Sequence, residues 1–159
     1  MENIIRQAET SDLESIVRLA NEIGASHHKH APDIFLPPDD SGRDVELWKQ
    51  VILEPSSVVF VSENEKGVNG FIAARVTEQQ ALSFLVQSKI CRIGTIVVSD
   101  AHQGKGMGRR LMAELETWAK AAGASEVRLE VMGFNQQAKG FYEIIGYEKS
   151  SEIHAKKLA

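Results

Sequence analysis

The sequence predicts an α/β protein, in which helices pack on the faces of a mixed β-sheet. Three observations lead to this prediction. Runs rich in β-branched residues alternate with stretches of helical periodicity, in the order β-α-α-β-β-β-α-β-α-β. A strand at 90–99, a helix at 108–122 and a strand at 125–132 form a β-α-β unit, so these two strands should lie parallel. The length of 159 residues suits one domain, which we place at 1–159.

The composition is that of an ordinary globular chain. Hydrophobic residues make up 43% and charged residues 25%, which excludes disordered, collagen-like and coiled-coil classes. No apolar run approaches the roughly 20 residues of a membrane helix, and the N-terminus lacks a secretory signal pattern, so no membrane association is expected. The net charge of −4 argues against nucleic acid as the main partner. Cys91 is the only cysteine, which excludes an internal disulfide and agrees with a cytoplasmic location.

The N-terminal third predicts one strand and two helices. Residues 3–8 should form a short opening strand. Ser11 and Glu14 have the spacing of a capping box, which predicts the start of the first helix there. An irregular polar segment is expected over 25–41, because that stretch is rich in proline. The second helix is shorter and is indicated by three helically spaced apolar residues, Val45, Trp48 and Ile52.

The middle of the chain predicts three consecutive strands. They are expected at 58–62, 68–77 and 90–99, where β-branched residues are concentrated. Residues 63–67 form a polar hairpin turn between the first two. The stretch 78–89 can be either a loop or an extension of its neighbouring strands.

The C-terminal part predicts two helices and two strands. The helix at 108–122 has one apolar stripe and should end at Gly123. The strand at 125–132 alternates apolar and charged residues. Asn135 can cap a helix that ends at Gly146, and Tyr147–Leu158 is expected as a weak final strand.

The most informative segment is a glycine-rich loop between a strand and a helix. Gly104, Gly106 and Gly108 alternate there, and glycine lets the backbone approach a ligand closely. The unpaired amides of a first helical turn point toward an anion, and the helix dipole adds positive potential. Lys105, Arg109 and Arg110 add positive charge around the loop. The loop therefore predicts a phosphate or pyrophosphate site.

Two common phosphate-binding loops do not fit this segment. The dinucleotide-binding fingerprint needs a third glycine three positions after the second, and position 109 is Arg. The nucleoside-triphosphate loop needs Gly-Lys followed by Ser or Thr, but Gly106 follows Lys105.

A different motif does fit. Gln103-x-x-Gly106-x-Gly108 resembles the acyl-CoA-binding motif of the GCN5-related N-acetyltransferase (GNAT) superfamily. Asn135-x-x-Ala138-x-x-Phe141-Tyr142, followed by Gly146-Tyr147, is similar to a second signature of that family. The 27 residues from Gly108 to Asn135 suit the helix, strand and turn that the family has between the two motifs. The resemblance implies the GNAT acyl-CoA N-acyltransferase fold, with six to seven strands and four helices.

The resemblance implies an N-acetyltransferase that uses acetyl-CoA as acyl donor, without a metal, and acetylates a primary amine of a small molecule or peptide in a ternary complex. In the family, pantetheine lies where one strand splays from its parallel neighbour, and the pyrophosphate lies on the glycine loop. The positions that match these cofactor contacts are Ile96, Val97, Val98, Gln103, Gly104, Lys105, Gly106, Met107, Gly108, Arg109, Asn135, Ala138 and Phe141.

Tyr142 matches the tyrosine that the family uses as proton donor to the leaving thiolate. A phenol with a pKa of ~10 is a mild donor of suitable strength for a thiol of pKa ~8.5. A strand amide near Val98 is the expected donor to the carbonyl oxygen. The sequence does not single out the base that deprotonates the amine, and five residues are candidates: His27, His28, His30, Asp100 and Glu130.

The acceptor side is less well defined. His27, Pro32 and Phe35 resemble a segment that borders the acceptor pocket in many family members, so His27 and Phe35 are expected to bind substrate. The three histidines have no fourth ligand of matching spacing, so we expect no metal site. Cys91 on a strand is expected to be inert rather than a nucleophile.

Two other functions and two further properties stay open at this point. The chain can be an acyl-CoA-binding sensor without catalysis, or an acyltransferase for a longer acyl chain. Which amine is acetylated is not indicated. Whether the chain forms a homodimer also stays open.

Overall fold

The computed structural model describes residues 2–39, 41–79 and 82–159. Met1 and positions 40, 80 and 81 lie outside the described residues. Position 40 belongs to the irregular stretch expected at 25–41, and positions 80 and 81 belong to the stretch 78–89.

Within the described ranges, one five-stranded sheet and four α-helices form the fold. The sheet has the order β1-β2-β3-β4-β5, and only the β4–β5 pair is parallel. This confirms the predicted mixed α/β class and the parallel pair, with five strands instead of the six to seven that the resemblance implied. The elements are β1 (Ile4–Gln7), α1 (Leu13–His30), α2 (Arg43–Leu53), β2 (Ser57–Asn64), β3 (Gly67–Glu78), β4 (Lys89–Val98), α3 (Met107–Ala121), β5 (Glu126–Arg128) and α4 (Gln136–Ile144).

Each face of the sheet buries its own hydrophobic core. Alternate residues of a strand point to opposite faces, so Val58 and Phe60 of β2 pack with α3, whereas Val59 and Val61 pack with α1. Fully buried helical residues cover the two faces, namely Leu111, Met112 and Leu115 from α3 and Ile16 and Leu19 from α1.

The start of α1 is fixed by an ion-pair network rather than by the capping box expected at Ser11 and Glu14. A single 3-10 turn precedes the helix, and the backbone N–H of Glu9 donates to Asp12 Oδ2 at 2.8 Å. Arg6 donates to both oxygens of Asp12, at 2.8 and 2.9 Å, and to both oxygens of Glu63 on β2, each at 2.9 Å. A bidentate arrangement of this kind is stronger than a neutral hydrogen bond. Arg6 therefore ties the helix start to the sheet.

We expect Asp12→Ala to lower the free energy of unfolding by about 2 kcal/mol at pH 7, because it removes charged hydrogen bonds from a buried carboxylate. Arg6 holds the pKa of Asp12 and of Glu63 below their usual values. A lowered pKa in the folded state contributes stability at neutral pH that is lost as the pH falls through that pKa. The difference between Asp12→Ala and the unsubstituted chain should therefore shrink below about pH 4. Urea unfolding at several pH values measures this.

The matched control is Glu22→Ala, which removes the exposed i,i+4 pair between Arg18 and Glu22. Such pairs contribute at most about 0.5 kcal/mol. Equal losses for the two variants would contradict a special role for the Arg6 network.

Helix α1 is longer than the sequence indicated. The histidines expected in an irregular segment lie in its last turns, because α1 continues to His30. The ring Nδ1 atoms of His27 and His30 lie 2.8 Å from the carbonyl oxygens of Ile23 and Ser26, one helical turn back. Both rings are thus folded back along the helix, and Pro32 follows shortly after the helix ends.

A β-bulge at Gly94 changes the alternation of β4. Ala73 of β3 pairs with Thr95 and Ala74 pairs with Ile93, so Gly94 is an extra residue in β4. Before the bulge Ile93 faces α3. After it, Ile96 and Val98 face α3 and Val97 faces α1. Strict alternation would have placed Val97 on the same face as Ile93.

The two strands expected at the C-terminal end are shorter or absent. Strand β5 covers only Glu126–Arg128, not 125–132, because β4 beyond Arg92 no longer lies beside it. The weak strand expected at Tyr147–Leu158 is wrong for this chain: residues 148–159 make no backbone hydrogen bond to any described residue. A strand exists only where a neighbour pairs with it, and none of the described residues pairs with this segment.

None of the helices found within 2–39, 41–79 and 82–159 combines the length and the apolar character needed to cross a membrane.

Candidate active site

An opening between two parallel strands lies at the centre of the site. β4 and β5 pair only through Ile90–Arg92 and Glu126–Arg128. β4 then continues to Val98, paired with β3 on one side. In the described structure no strand pairs with its other side from Ile93 onward, so this edge can hydrogen-bond an extended ligand. The predicted cofactor positions Ile96, Val97 and Val98 lie on this edge.

The glycine loop that follows β4 presents a run of free amides. The described structure shows no acceptor for the backbone N–H groups of residues 104–109. Gly104 and Gly106 have φ values of 76° and 81°, in the left-handed region that side chains other than glycine rarely adopt. Gly106 is the N-cap of α3, so the last three of these amides belong to the first turn of a 15-residue helix. The arrangement is a cradle for an anion.

Charge at the cradle is strongly positive. Lys105, Arg109 and Arg110 are exposed and form no ion pair with any described residue. Gln103 braces the loop, because its Nε2 donates to the carbonyl oxygen of Val98 at 2.9 Å and lies 3.3 Å from Asp100 Oδ1. Met107 is buried and anchors the start of α3.

The two motifs that resemble the GNAT signatures are in contact. A Cβ at position 108 would lie 3.4 Å from Cζ of Phe141, at the short limit of ordinary van der Waals contact. Glycine at 108 therefore lets the N-terminal turn of α3 lie against α4. Asn135 caps α4 as the sequence predicted, its Oδ1 accepting from the Ala138 N–H at 3.1 Å. Asn135, Ala138 and Phe141 are all half-buried.

Tyr142 is the one described residue of the second motif that offers a free hydroxyl. Its ring packs edge-on against Phe141 and Tyr147, at centroid distances of 5.2 and 5.9 Å. The hydroxyl has no hydrogen-bond partner among the described residues. Burial raises the pKa of this phenol above its usual value, so it stays protonated at neutral pH. It is therefore protonated and has a proton to donate, although as a weaker acid than a solvent-exposed phenol.

Cys91 lies on β4 in the core and is fully buried. Burial raises the pKa of its thiol to about 11, so almost none of it is thiolate at neutral pH. This geometry supports the expectation that Cys91 is not a nucleophile.

An aromatic cluster lies at the end of α1. The ring of His27 packs edge-on against Phe35, at 4.9 Å, and against Phe134, at 5.7 Å. His30 stacks on Phe134 at 5.0 Å with an angle of 6° between the rings. Sequence reasoning missed Phe134, although its position beside the cap residue Asn135 was a usable signal. We call His27, His30, Phe35 and Phe134 the aromatic cluster.

The histidine tautomers follow from their partners. A carbonyl oxygen can only accept, so the Nδ1 atoms of His27, His28 and His30 must carry the hydrogen in their contacts with Ile23, Phe35 and Ser26. Each neutral ring then keeps a lone pair on Nε2, which can accept a proton. The other two base candidates, Asp100 and Glu130, are exposed. Across 2–39, 41–79 and 82–159, no three His, Cys, Asp or Glu residues are grouped as metal ligands.

Comparison with known proteins agrees with this geometry. The model of the acetyltransferase (GNAT) family matches residues 16–147. The chain is 40% identical over 137 residues to the uncharacterized N-acetyltransferase YobR of Bacillus subtilis, covering 73% of this chain and 54% of that protein. The chain thus spans about half the length of this curated relative.

Solved structures share the fold. A mutant of the BH1408 protein from Bacillus halodurans superposes with a TM-score of 0.92 at 24% identity, over 98% of this chain and 99% of that one. The structure of AAC(6')-Iy in complex with the bisubstrate analog CoA-S-monomethyl-acetylneamine superposes with a TM-score of 0.79 at 14% identity, over 100% and 99% of the two chains.

Proposed function

The chain belongs to the acetyltransferase (GNAT) family, and from this membership we propose that it transfers an acetyl group from acetyl-CoA directly to a primary amine of a small molecule or peptide. The structure of AAC(6')-Iy, a protein of comparable fold, is a complex with a CoA-linked bisubstrate analog, which is consistent with CoA as the donor here.

The observation that carries this proposal is the position of the anion cradle at the end of an unpaired strand edge. Six consecutive free amides, from residue 104 to residue 109, suit the pyrophosphate of CoA, and Lys105 and Arg109 add charge to it. Gln103, Met107 and Gly108 hold the cradle in place. The edge from Ile96 to Val98 then suits pantetheine, whose amides can pair with it as an added strand would.

Helix α4 would form the other side of the donor site. Asn135 and Ala138 lie at its start, and Phe141 contacts Gly108 in the cradle. Because α4 and the cradle touch, a donor bound to the glycine loop would lie beside the helix that holds Tyr142.

The chemistry then needs positioning and one proton donor. A neutral amine attacks the thioester carbonyl, and holding both reactants in line supplies much of the rate. A backbone amide near Val98 would stabilise the charge that develops on the carbonyl oxygen. Tyr142 would protonate the departing thiolate, because its phenol is protonated at neutral pH and its hydroxyl has no hydrogen-bond partner in the described part of the chain.

The aromatic cluster supports an acceptor site on the α1 side. Phe134 is covalently next to Asn135, so the cluster adjoins the proposed donor site. His27 would bind substrate together with Phe35. Its Nε2 lone pair also makes it a candidate for the base, alongside His28, His30, Asp100 and Glu130.

Acetyl-CoA should raise the melting temperature of the chain, because a ligand that binds only the folded state stabilises it. At a hundredfold excess over Kd the gain is ~2.7 kcal/mol, or roughly 5–10 °C for a chain of this size. The shift should survive a chelator, and adenosine at equal concentration should give none. Differential scanning fluorimetry measures it. An unchanged melting temperature at millimolar acetyl-CoA would overturn the proposed donor site.

Thiol release across a panel of aminoglycosides, polyamines, amino acids and peptides then identifies the amine.

A further inference from the structure

A second β-bulge lies in β3, next to the end of β4. Ser62 of β2 pairs with Gly70 of β3. The next residue of β2, Glu63, pairs with Val68, so Asn69 is an extra residue in β3. The Asn69 side chain is buried, with 4% exposure, and Ser62 beside it is fully buried. Buried polar side chains call for an explanation, and neither residue belongs to the donor or acceptor site described above.

A chain of hydrogen bonds holds the Asn69 side chain in place. Ser62 Oγ donates to Asn69 Oδ1 at 2.7 Å, and Asn69 Nδ2 donates to Asn3 Oδ1 at 2.6 Å. These bonds join β2, β3 and the residues before β1. An unpaired amide would be costly in this buried position, so the bonds restrict the side chain to one orientation. We call Asn3, Ser62 and Asn69 the asparagine network.

The backbone of Asn69 accepts the last hydrogen bond between β3 and β4. Its carbonyl oxygen accepts from the N–H of Ser99 at 2.8 Å, one residue beyond the end of β4. In an antiparallel ladder this bond makes Gly70 and Val98, which face each other, a non-hydrogen-bonded pair. The backbone N–H and C=O groups of Val98 therefore point away from β3, toward the open edge of β4.

Two further contacts agree with this direction. The carbonyl oxygen of Val98 accepts from Gln103 Nε2 at 2.9 Å, that is, from the glycine loop and not from β3. A Cβ at position 70 would lie 2.8 Å from Ser62 Oγ and 3.0 Å from the carbonyl oxygen of Val97. Glycine at 70 therefore lets the asparagine network lie directly against the end of β4.

Ser99 is also held from the side of the loop. The N–H of His102 donates to the carbonyl oxygen of Ser99 at 2.8 Å, and His102 Nδ1 lies 2.7 Å from Ser99 Oγ. Ser99 is thus fixed to β3 by its N–H and to the 3-10 turn Asp100–His102 by its other polar atoms. The asparagine network is connected in this way to the start of the loop that carries the anion cradle.

We propose that the asparagine network is a positioning device for acetyl transfer, with Asn69 as its central residue. The inference rests on the proposed function, in which a backbone amide near Val98 stabilises charge on the thioester carbonyl oxygen. Asn69 acts through Ser99, because the bond between them fixes the direction of the Val98 N–H. A donor that is already aimed at the developing charge needs no reorientation during the reaction, which is why fixed backbone amides are effective.

Asn69→Ala tests the proposal with two ligands that separate the strand edge from the cradle. Acetyl-CoA reaches both, whereas adenosine 3′-phosphate 5′-diphosphate has the phosphates without the pantetheine arm. We expect the affinity for acetyl-CoA to fall about tenfold, the size of one or two lost hydrogen bonds. The affinity for the phosphate ligand should stay within about threefold, because the cradle is unchanged. Isothermal titration calorimetry measures both.

Hydrogen exchange tests the link to Ser99 without any ligand. The Ser99 amide should exchange at least about tenfold faster in Asn69→Ala, because its acceptor is no longer held in place. Ser62→Ala removes one hydroxyl from the asparagine network and should give the same changes to a smaller extent. This second variant applies the same test if Asn69→Ala does not fold.

Val58→Ala is the matched control for lost stability. Val58 is buried on the same strand as Ser62, but at the other end, where its partner Ala74 pairs with Ile93. It should unfold more easily than the parent chain, yet keep both affinities and the slow exchange of the Ser99 amide.

The outcomes separate this inference from the function on which it rests. A parent chain that does not bind acetyl-CoA would overturn both. If the parent chain binds acetyl-CoA, three results would each overturn the inference alone. These are equal losses for the two ligands in the network variants, an unchanged Ser99 amide, and the same changes in Val58→Ala.

Discussion

Tyr142→Phe should reduce acetyl transfer by about 100- to 10,000-fold while leaving the affinity for acetyl-CoA nearly unchanged. General acid catalysis typically contributes a factor of this size. The Phe ring keeps the edge contacts with Phe141 and Tyr147, so the melting temperature should change little. Steady-state thiol release gives the rate, and calorimetry gives the affinity.

Tyr147→Phe is the matched control. Its ring lies in the same cluster, but its hydroxyl donates to Glu116 Oε1 at 3.2 Å and is not free. Turnover should therefore stay near that of the parent chain. The loss in Tyr142→Phe should also shrink with a donor whose leaving thiol is more acidic, because a better leaving group needs less protonation. If Tyr142→Phe turned over normally with every donor, Tyr142 would have only a packing role.

Gly106→Val should lower the affinity for acetyl-CoA by at least about a hundredfold. No atom of the described chain lies within 4 Å of a Cβ placed at 106, so the valine side chain would extend into the space where the pyrophosphate is proposed to bind. The φ of 81° is also unfavourable for a β-branched residue, so the helix start would shift and the free amides would lose their common direction. Each charged hydrogen bond lost costs about 1.5–3 kcal/mol.

Gly42→Val separates the loss of binding from backbone strain. Gly42 is the N-cap of α2 and has φ 79° and ψ 11°, against 81° and 7° for Gly106. Both variants should lose similar stability by thermal unfolding, but only Gly106→Val should lose acetyl-CoA binding. Retained affinity in a folded Gly106→Val chain would show that this loop does not hold the phosphates.

The site could be predicted from the sequence where a local signal fixes the geometry. Asn135 is a helix cap with an oxygen to offer, and it caps α4 as expected. The glycines at 104 and 106 have positive φ, as a turn into a helix requires. The contact between Gly108 and Phe141 has no local signal, because it depends on how α3 and α4 meet in the folded chain.

The errors in the fold have a common cause in tertiary contacts. The segment 147–158 has some β-propensity, but a strand also needs a partner edge beside it, and no described residue pairs with the backbone of 148–159. The polar, histidine-rich end of α1 lacks an apolar stripe. Its helical state is stabilised because the His27 ring packs against Phe35 and Phe134. Phe134 lies more than a hundred positions after His27 in the chain, so the sequence near the helix end gives no signal for this contact.

The bulge at Gly94 lies near the start of an open edge of β4, and the pairing of the strand gives this edge a definite length. Pairing with β5 stops at Arg92, and the strand ends at Val98, so six residues of open edge separate the closed part of the sheet from the cradle. At about 3.3 Å per residue, this is roughly 20 Å. A donor anchored by its phosphates at one end can extend only that far before it reaches paired strands. The extra residue at Gly94 lies within this open edge, so it adds about one residue, roughly 3.3 Å, to the distance between the paired strands and the cradle.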